Sequence, residues 1–230
     1  MLELPIHSHL NPDRIPPMEK AINEFDRPIK ALEIGTWTGD GSTQVWFKNL
    51  KPGSTLMIVD RWEPYCQNDY GNHPMYQQVD EIAHKAFIRT FDNVLEFEKQ
   101  NKDIEVIMIR ADSNNYLKYL ADKSFDFIYV DGCHHYDKVN VDVIESKRLI
   151  KDVGIICGDD LEQPVEEIYV RAAMDFPNRD YILVPGTSNH MIHPGVTLAL
   201  HENFNGQVNL DNGFWWLYHN NGQFSKERSF

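Results

Sequence analysis

Short apolar runs, most of them ending in a glycine or a charged residue, recur along the chain with helix-like stretches between them. They are KALEIG at 30–35, TLMIVD at 55–60, IEVIMIR at 104–110, FDFIYVD at 125–131 and VGIICGD at 153–159, then YILVPG at 181–186 and VTLALHE at 196–202. The first five are dense in Ile, Val and Leu and do not alternate with polar residues, as expected of strands covered on both faces. Between 136 and 151, Val139, Val143 and Ile150 fall on one helical stripe. Strand–helix alternation of this kind predicts an α/β, doubly wound, mostly parallel sheet of seven strands. Only TSNHMIHPG separates the last two runs, so they are expected to pair as a C-terminal antiparallel hairpin, and FWWLYH at 214–219 to add an edge strand.

With 230 residues and 42% apolar content, the chain can bury a full core without disulfide staples. No repeat or linker interrupts it, so residues 1–230 are read as one domain. Residues 1–29 form an N-terminal helical or loop segment, and 62–101 a long insert of two helical pieces broken near Gly71 and Pro74 that shapes the substrate site. Twenty-two basic against 35 acidic residues give a net charge of −13, which works against nucleic acid or an anionic membrane as partner and for a small molecule. The sparse cysteines, Cys66, Cys133 and Cys157, show no CxxC spacing and point to a reducing, cytoplasmic setting without structural zinc. The start of the chain has no signal-peptide pattern, and no apolar run is long enough to span a membrane.

Ligands of doubly wound sheets bind at the carboxyl ends of the strands, near the point where strand order reverses. The unusual polar residues fall there. After the first strand, LEIGTWTGDGST places Gly35, Gly39 and Gly41 before a helix that begins near Ser42, a turn that lets backbone approach a ligand closely. It could equally be a tight turn that needs flexible residues. Its spacing is not the G-x-G-x-x-G of nicotinamide enzymes, which makes a dehydrogenase a weak reading. Asp60 closes the second strand 21 residues after Gly39, where an acidic side chain can accept from ribose hydroxyls or cap a following helix.

LEIGTWTGDGST, IVDRW, RADS at 110–113 and YVDGCHHYDKVNVDV together resemble the class I S-adenosylmethionine-dependent methyltransferases. VDGCHHY and GIICGDD resemble in particular the metal-assisted O-methyltransferases of small-molecule hydroxyls, the macrocin and sugar O-methyltransferase-like group. The resemblance covers about residues 30–160. It implies a Rossmann-like methyltransferase fold and S-adenosylmethionine contacts at Glu33, Gly35, Thr36, Gly39, Ser42, Asp60, Arg61, Trp62, Asp112, Ser113 and Asp131. In that scheme Glu33, Gly35 and Gly39 surround the methionine part, Asp60 holds the ribose, and Asp112 and Ser113 flank the adenine. The chain departs from the group in reading G-D-G-S-T where G-G-S-T is usual.

Neighbouring parallel strands would bring Asp131, Asp159 and Asp160 to one rim. Three ionised carboxylates that close repel, so one is protonated or a cation sits among them, and an all-oxygen set suits Mg²⁺. Alternatively, these aspartates cap helices that start near Tyr136 and Glu162. His134 occupies the slot where the resembling enzymes carry a catalytic base, with His135 as its rival, and Asp131 shares the catalytic role. Cys133 is read as a bystander. Trp37, Trp62, Tyr65, Trp215 and Trp216 line a pocket or pack the core, and the histidines at 7–9, 190 and 193 are read as loop residues, the latter two near the substrate mouth.

The activity expected is methyl transfer to a hydroxyl of a small-molecule acceptor, assisted by a divalent metal, in an enzyme that could form a homo-oligomer. A hydroxylase or other tailoring enzyme on the same scaffold is the alternative, as is a non-catalytic S-adenosylmethionine-binding protein. A decayed site, however, would have lost Gly35, Asp60 or Asp131, and all three are present.

Overall fold

The computed structural model describes residues 10–63 and 79–228; the expected break at Gly71 and Pro74, Tyr65, Cys66 and the histidines at 7–9 lie outside them. After helix α1 (Ile15–Ile22) the chain alternates β1 (Lys30–Ile34), α2 (Ser42–Asn49), β2 (Thr55–Asp60), α3 (Val79–Gln100) and β3 (Glu105–Arg110). It continues through α4 (Ser113–Tyr116), β4 (Phe125–Val130), α5 (Tyr136–Leu149) and β5 (Ile150–Gly158). These five strands are parallel, in the order β3-β2-β1-β4-β5, so strand order reverses between β1 and β4. Four of them carry buried apolar side chains throughout the core, whereas β3, at the sheet edge, is only half-buried despite its Ile-rich sequence.

Beyond β5 come α6 (Glu167–Asp175), β6 (Ile182–Leu183), β7 (Met191–Ile192), α7 (Pro194–Phe204), β8 (Asn209–Asp211), β9 (Phe214–Asn220) and β10 (Gln223–Ser225). Two expectations change here. The run at 196–202 is a helix, so YILVPG pairs with Met191–Ile192 in a small separate sheet. FWWLYH is β9, which lies antiparallel beside β5 and is paired on its other side by β8 and β10; it is an inner strand of an eight-stranded sheet, not an edge.

Two apolar layers cover the sheet. On one face Met18, Ile22, Val45, Trp46, Ala86 and Val94 from α1, α2 and α3 pack on Ala31, Ile58, Phe127 and Tyr129. On the other, Val139, Val143, Val196, Ala199 and Leu200 from α5 and α7 pack on Leu32, Ile34, Ile128 and Ile156. A satellite cluster of Tyr169, Val170, Ala173, Ile192 and Leu198 seats α6 and the small sheet against α7. The carboxyl ends of β1, β4 and β5 therefore open between the two helical layers, flanked by the segment around the small sheet.

Candidate active site

The turn after β1 is set by close approach. Gly35 has φ +81°, and a Cβ there would stand 2.0 Å from the Asp131 carbonyl oxygen, so only glycine lets the ends of β1 and β4 meet. Its N–H donates to the Val59 carbonyl at 2.9 Å, tying the turn to β2 as well. Gly39, at φ +67°, lies against Thr90 of α3. Glu33, fully buried, accepts from Ser42 Oγ (2.6 Å), Thr43 Oγ1 (2.8 Å) and Trp46 Nε1 (3.0 Å), and so fastens the first turn of α2 to β1. Burial pushes its carboxyl up to about 7 in spite of these three donors.

Asp60 organises the same rim. Its Oδ2 accepts from the Thr36 and Trp37 amides (2.9 and 3.0 Å) and its Oδ1 from the Trp62 amide (2.7 Å). A carboxylate offers about four lone-pair sites, so one on Oδ1 remains for a hydroxyl such as that of a ribose. Burial raises the Asp60 pKa, and the three amides oppose the rise. Nearby, Arg61 Nε and Asp112 Oδ1 are buried and have no hydrogen-bond partner. Arg61 Nη1 stands 3.6 Å from Asp112 Oδ2, and Asp112 precedes Ser113 at the start of α4. An orphaned donor and acceptor beside the glycine turn fit the polar edges of an adenosine cofactor. Trp62 is different: it is 1% exposed, packs edge-on to Phe87 and donates its indole N–H to the Trp37 carbonyl, so its side chain belongs to the core. Trp215 is equally buried and donates to the Asp159 carbonyl.

The acidic rim assembles around two cations of the chain's own. Tyr129 Oη donates to Asp131 Oδ2 at 3.1 Å and reaches Asp159 Oδ2 at 3.4 Å, so the three aspartates do share one rim. Arg14, just before α1, inserts its Nη1 at 2.5 Å from Asp159 Oδ1 and 3.1 Å from Asp160 Oδ1. His134 Nε2 lies 2.9 Å from Asp160 Oδ2 and 3.8 Å from Asp131 Oδ1, while its Nδ1 meets Asp180 Oδ1 at 2.9 Å. The helix-capping alternative fails: His135, not Asp131, stands at the N-cap of α5, and α6 starts only at Glu167.

Charge follows from this packing. Burial would keep His134 neutral, but Asp160 and Asp131 outweigh it and raise its pKa to about 10. Asp160 is held far below the ordinary carboxylate range: burial opposes, and His134, His193 and Arg14 prevail. Asp159 goes the other way, to about 8, through burial and the charges of Asp160 and Asp131, with Arg14 offsetting part. The two carboxylates therefore favour the protonated form of His134 in the ligand-free protein, which works against its acting there as a free base. Cys133, raised to about 11 by burial, stays a thiol.

The donors suit a metal in one arrangement and not in another. The expected set of Asp131, Asp159 and Asp160 does not fit, because the Arg14 guanidinium occupies Asp159 Oδ1 at 2.5 Å and Asp159 joins no group of close ligand atoms among the described residues. Asp131, His134 and Asp160 do fit, each offering a ligand atom within 4.8 Å of the others. The sequence reading missed Arg14, Glu162 and Asp180 as site residues and took His193 only as a loop residue near the substrate mouth; all four converge here. His193 pairs its Nδ1 with Glu162 Oε1 at 2.8 Å and its ring stands edge-on to His134, whereas His190 binds Tyr169 instead.

A family model described as a methyltransferase domain matches residues 32–161, the span from β1 through the carboxylates after β5. The chain belongs to this methyltransferase family. No curated protein matches it. Among solved structures it is similar to TomG of Streptomyces achromogenes, an O-methyltransferase involved in tomaymycin synthesis and solved with S-adenosylmethionine. Identity there is 16% and the TM-score 0.52, over 92% of this chain and 81% of that one. It is also similar to the O-methyltransferase of Bacillus cereus in complex with S-adenosylhomocysteine, at 16% identity and TM-score 0.50, over 94% and 84% of the two chains. At such identities the likeness is one of fold. With the family match and the motif order, it makes this methyltransferase a member of the class I, S-adenosylmethionine-dependent group with its Rossmann-like sheet. Among the described residues no helix is long and apolar enough to cross a membrane.

Proposed function

We propose that this methyltransferase transfers the methyl group of S-adenosylmethionine to a hydroxyl of a small-molecule acceptor, assisted by a divalent metal. The observation that carries the reading is the joined position of two features: the Gly35–Asp131 approach at the reversal of strand order, and the Asp131–His134–Asp160 group on its rim. The O-methyltransferase identity of both structural neighbours favours an oxygen acceptor.

Gly35, Thr36 and Gly39 would carry backbone against the methionine part of the cofactor, Oδ1 of Asp60 would accept from the ribose, and Arg61 and Asp112 would gain partners at the adenosine. Asp131 is common to both halves of the site, closing β4 beside the glycine turn while facing His134. A bound dication would lower the pKa of the acceptor hydroxyl and orient its oxygen. Asp131 and Asp160, with His134, would hold the acceptor's oxygen in line with the methyl group, where positioning alone supplies about 7–11 kcal/mol. The proton leaving the hydroxyl would go to Asp131, the carboxylate of this group whose pKa burial raises. The net charge of −13 favours an uncharged or cationic small molecule over nucleic acid.

The test is methyl transfer from labelled S-adenosylmethionine to a panel of hydroxylated small molecules, with and without EDTA. Asp160→Asn keeps the left-handed backbone (φ +62°) that Asn tolerates, and should abolish turnover while S-adenosylmethionine still binds. Methylation of carbon or nitrogen only would refute the oxygen acceptor, and full turnover in EDTA would refute metal assistance.

A further inference from the structure

Two histidines that no sequence motif connects meet on the carboxylate rim. The rings of His134, before α5, and His193, before α7, have centroids 4.7 Å apart and stand edge to face. Each is gripped in the same way. Nδ1 of His134 is bound by Asp180 Oδ1 at 2.9 Å, and Nδ1 of His193 by Glu162 Oε1 at 2.8 Å, with Glu162 Oε2 also accepting the His193 amide at 3.3 Å. An imidazole fixed by a carboxylate at Nδ1 has its orientation and tautomer set and offers Nε2 as ligand, the way metal-binding histidines are commonly held.

The remaining donors are arranged accordingly. Asp131, His134 and Asp160 offer ligand atoms within 4.8 Å of one another, and two further groups meet the same limit, His193 with Asp160 and Glu162, and His134 with His193 and Asp180. The three groups overlap at His134, His193 and Asp160, and bonds from an ion held there to nitrogen and oxygen would run about 2.0–2.2 Å. Two further features show that the arrangement is built. Asp160 holds φ +62°, a left-handed conformation that away from glycine concentrates at functional sites. Gly195 lets α7 press onto the histidine loop, since a Cβ there would stand 2.1 Å from the His134 carbonyl oxygen and 2.5 Å from the Tyr136 amide. Meanwhile Arg14 Nη1 stands 2.5 Å from Asp159 Oδ1 and occupies the third oxygen of an all-carboxylate site.

We propose that the metal of this methyltransferase is a nitrogen-binding first-row ion, not Mg²⁺, held by His134, His193 and Asp160 with Asp131 as fourth donor, and that Asp180 and Glu162 orient the two histidines. The proposal rests on the reading of this rim as a divalent-metal centre and specifies its ligands. Imidazole donors suit Zn²⁺, Fe²⁺ and Co²⁺, whereas Mg²⁺ prefers oxygen alone. Asp180 and Glu162 are positioning residues here and His193 is a ligand.

The test is calorimetric titration of chelator-treated protein with Co²⁺ and with Mg²⁺, alongside the visible absorption of the Co²⁺ form. One equivalent of Co²⁺ should bind at least tenfold more tightly than Mg²⁺ and develop ligand-field bands. His193→Ala should abolish those bands. Glu162→Gln keeps the side-chain shape and should weaken Co²⁺ about 10–100-fold, the usual effect of losing a carboxylate that orients a metal-bound histidine. Mg²⁺ binding as tightly as Co²⁺, or Co²⁺ affinity unchanged in both variants, would overturn the assignment. S-adenosylmethionine is titrated into the same preparations. Cofactor binding without Co²⁺ binding removes the metal assignment and leaves methyl transfer standing. Co²⁺ bound through His193 with no methyl transfer to any hydroxyl keeps the metal site and removes the reaction.

Discussion

Glu33 offers a way to measure how deeply the glycine turn is anchored. Its carboxylate is fully buried between β1 and α2 and satisfied by Ser42, Thr43 and Trp46, yet burial dominates and lifts its pKa from 4.5 to about 7. At about 1.4 kcal/mol per unit, that rise corresponds to about 3 kcal/mol. The sign is fixed by which state holds the proton. Between 4.5 and 7 the folded protein retains a proton that the unfolded chain has released, so the stability Glu33 contributes is complete below 4.5, falls as pH rises and is gone above 7. Glu33→Gln should preserve the hydrogen bonds: the amide oxygen accepts from Ser42 and Trp46, and the amide nitrogen donates to the Thr43 hydroxyl, which can accept. The variant carries no titrating group at this position. Its stability minus that of the natural protein should therefore grow by about 3 kcal/mol across the window, or about 6–12 °C in Tm for a chain of this size. Asp142 and Asp159, also raised by burial, to about 7 and about 8, titrate in both proteins and cancel in the difference. Thermal melts of both proteins on either side of the window decide the matter. Parallel curves would show that Glu33 is ionised without penalty and that the burial argument is wrong.

Gly35→Ala should lower Tm and weaken S-adenosylmethionine binding together. The left-handed backbone alone costs about 1–2 kcal/mol, and the added Cβ must push the β1 and β4 ends apart; unchanged melting and titration curves would refute the close-approach argument. Gly195→Ala should displace the His134 loop, because the new Cβ would stand 2.1 Å from that loop's carbonyl, and turnover should fall more than S-adenosylmethionine affinity; an equal fall in both would refute it. Asp126→Ala removes a buried carboxylate that accepts from Arg27 Nη2, Lys151 Nζ and the Lys30 amide at 2.7–2.8 Å, at a cost of about 2 kcal/mol. Burial opposes ionisation of Asp126, but its three donors hold its pKa below 3.8, so in the natural protein this contribution should persist above 3.8 and disappear as pH falls further, which acid unfolding of the two proteins measures.

What the sequence made legible follows from burial on both faces. β1, β2, β4 and β5 lie under helices on either side, a position that calls for runs dense in apolar residues without alternation, so these strands could be read directly. The same topology put Asp131 and Asp160 on one rim, because parallel neighbours end together. VTLALHE was misread for a related reason. From Pro194 to Leu200 every residue of α7 is buried, and a helix that is apolar all round shows no period by which to recognise it. The surviving signals were local: Pro194 at the first helical position, and Asn205 and Gly206 in the left-handed conformation that ends the helix. The other half of the site left no pattern at all. Arg14 reaches Asp160 across 146 positions, and its seat exists because Gly213 has no Cβ to strike the guanidinium at 2.6 Å. Glu162, Asp180 and His193 arrive from three loops whose spacing reflects only the lengths of α6 and the small sheet. Strand-end carboxylates follow from the topology and can be found by counting strands. The cations and histidines that decide what those carboxylates can bind come from tertiary packing, and a reading that stopped at the strand ends would have assigned this site to three aspartates, two of which already meet an arginine.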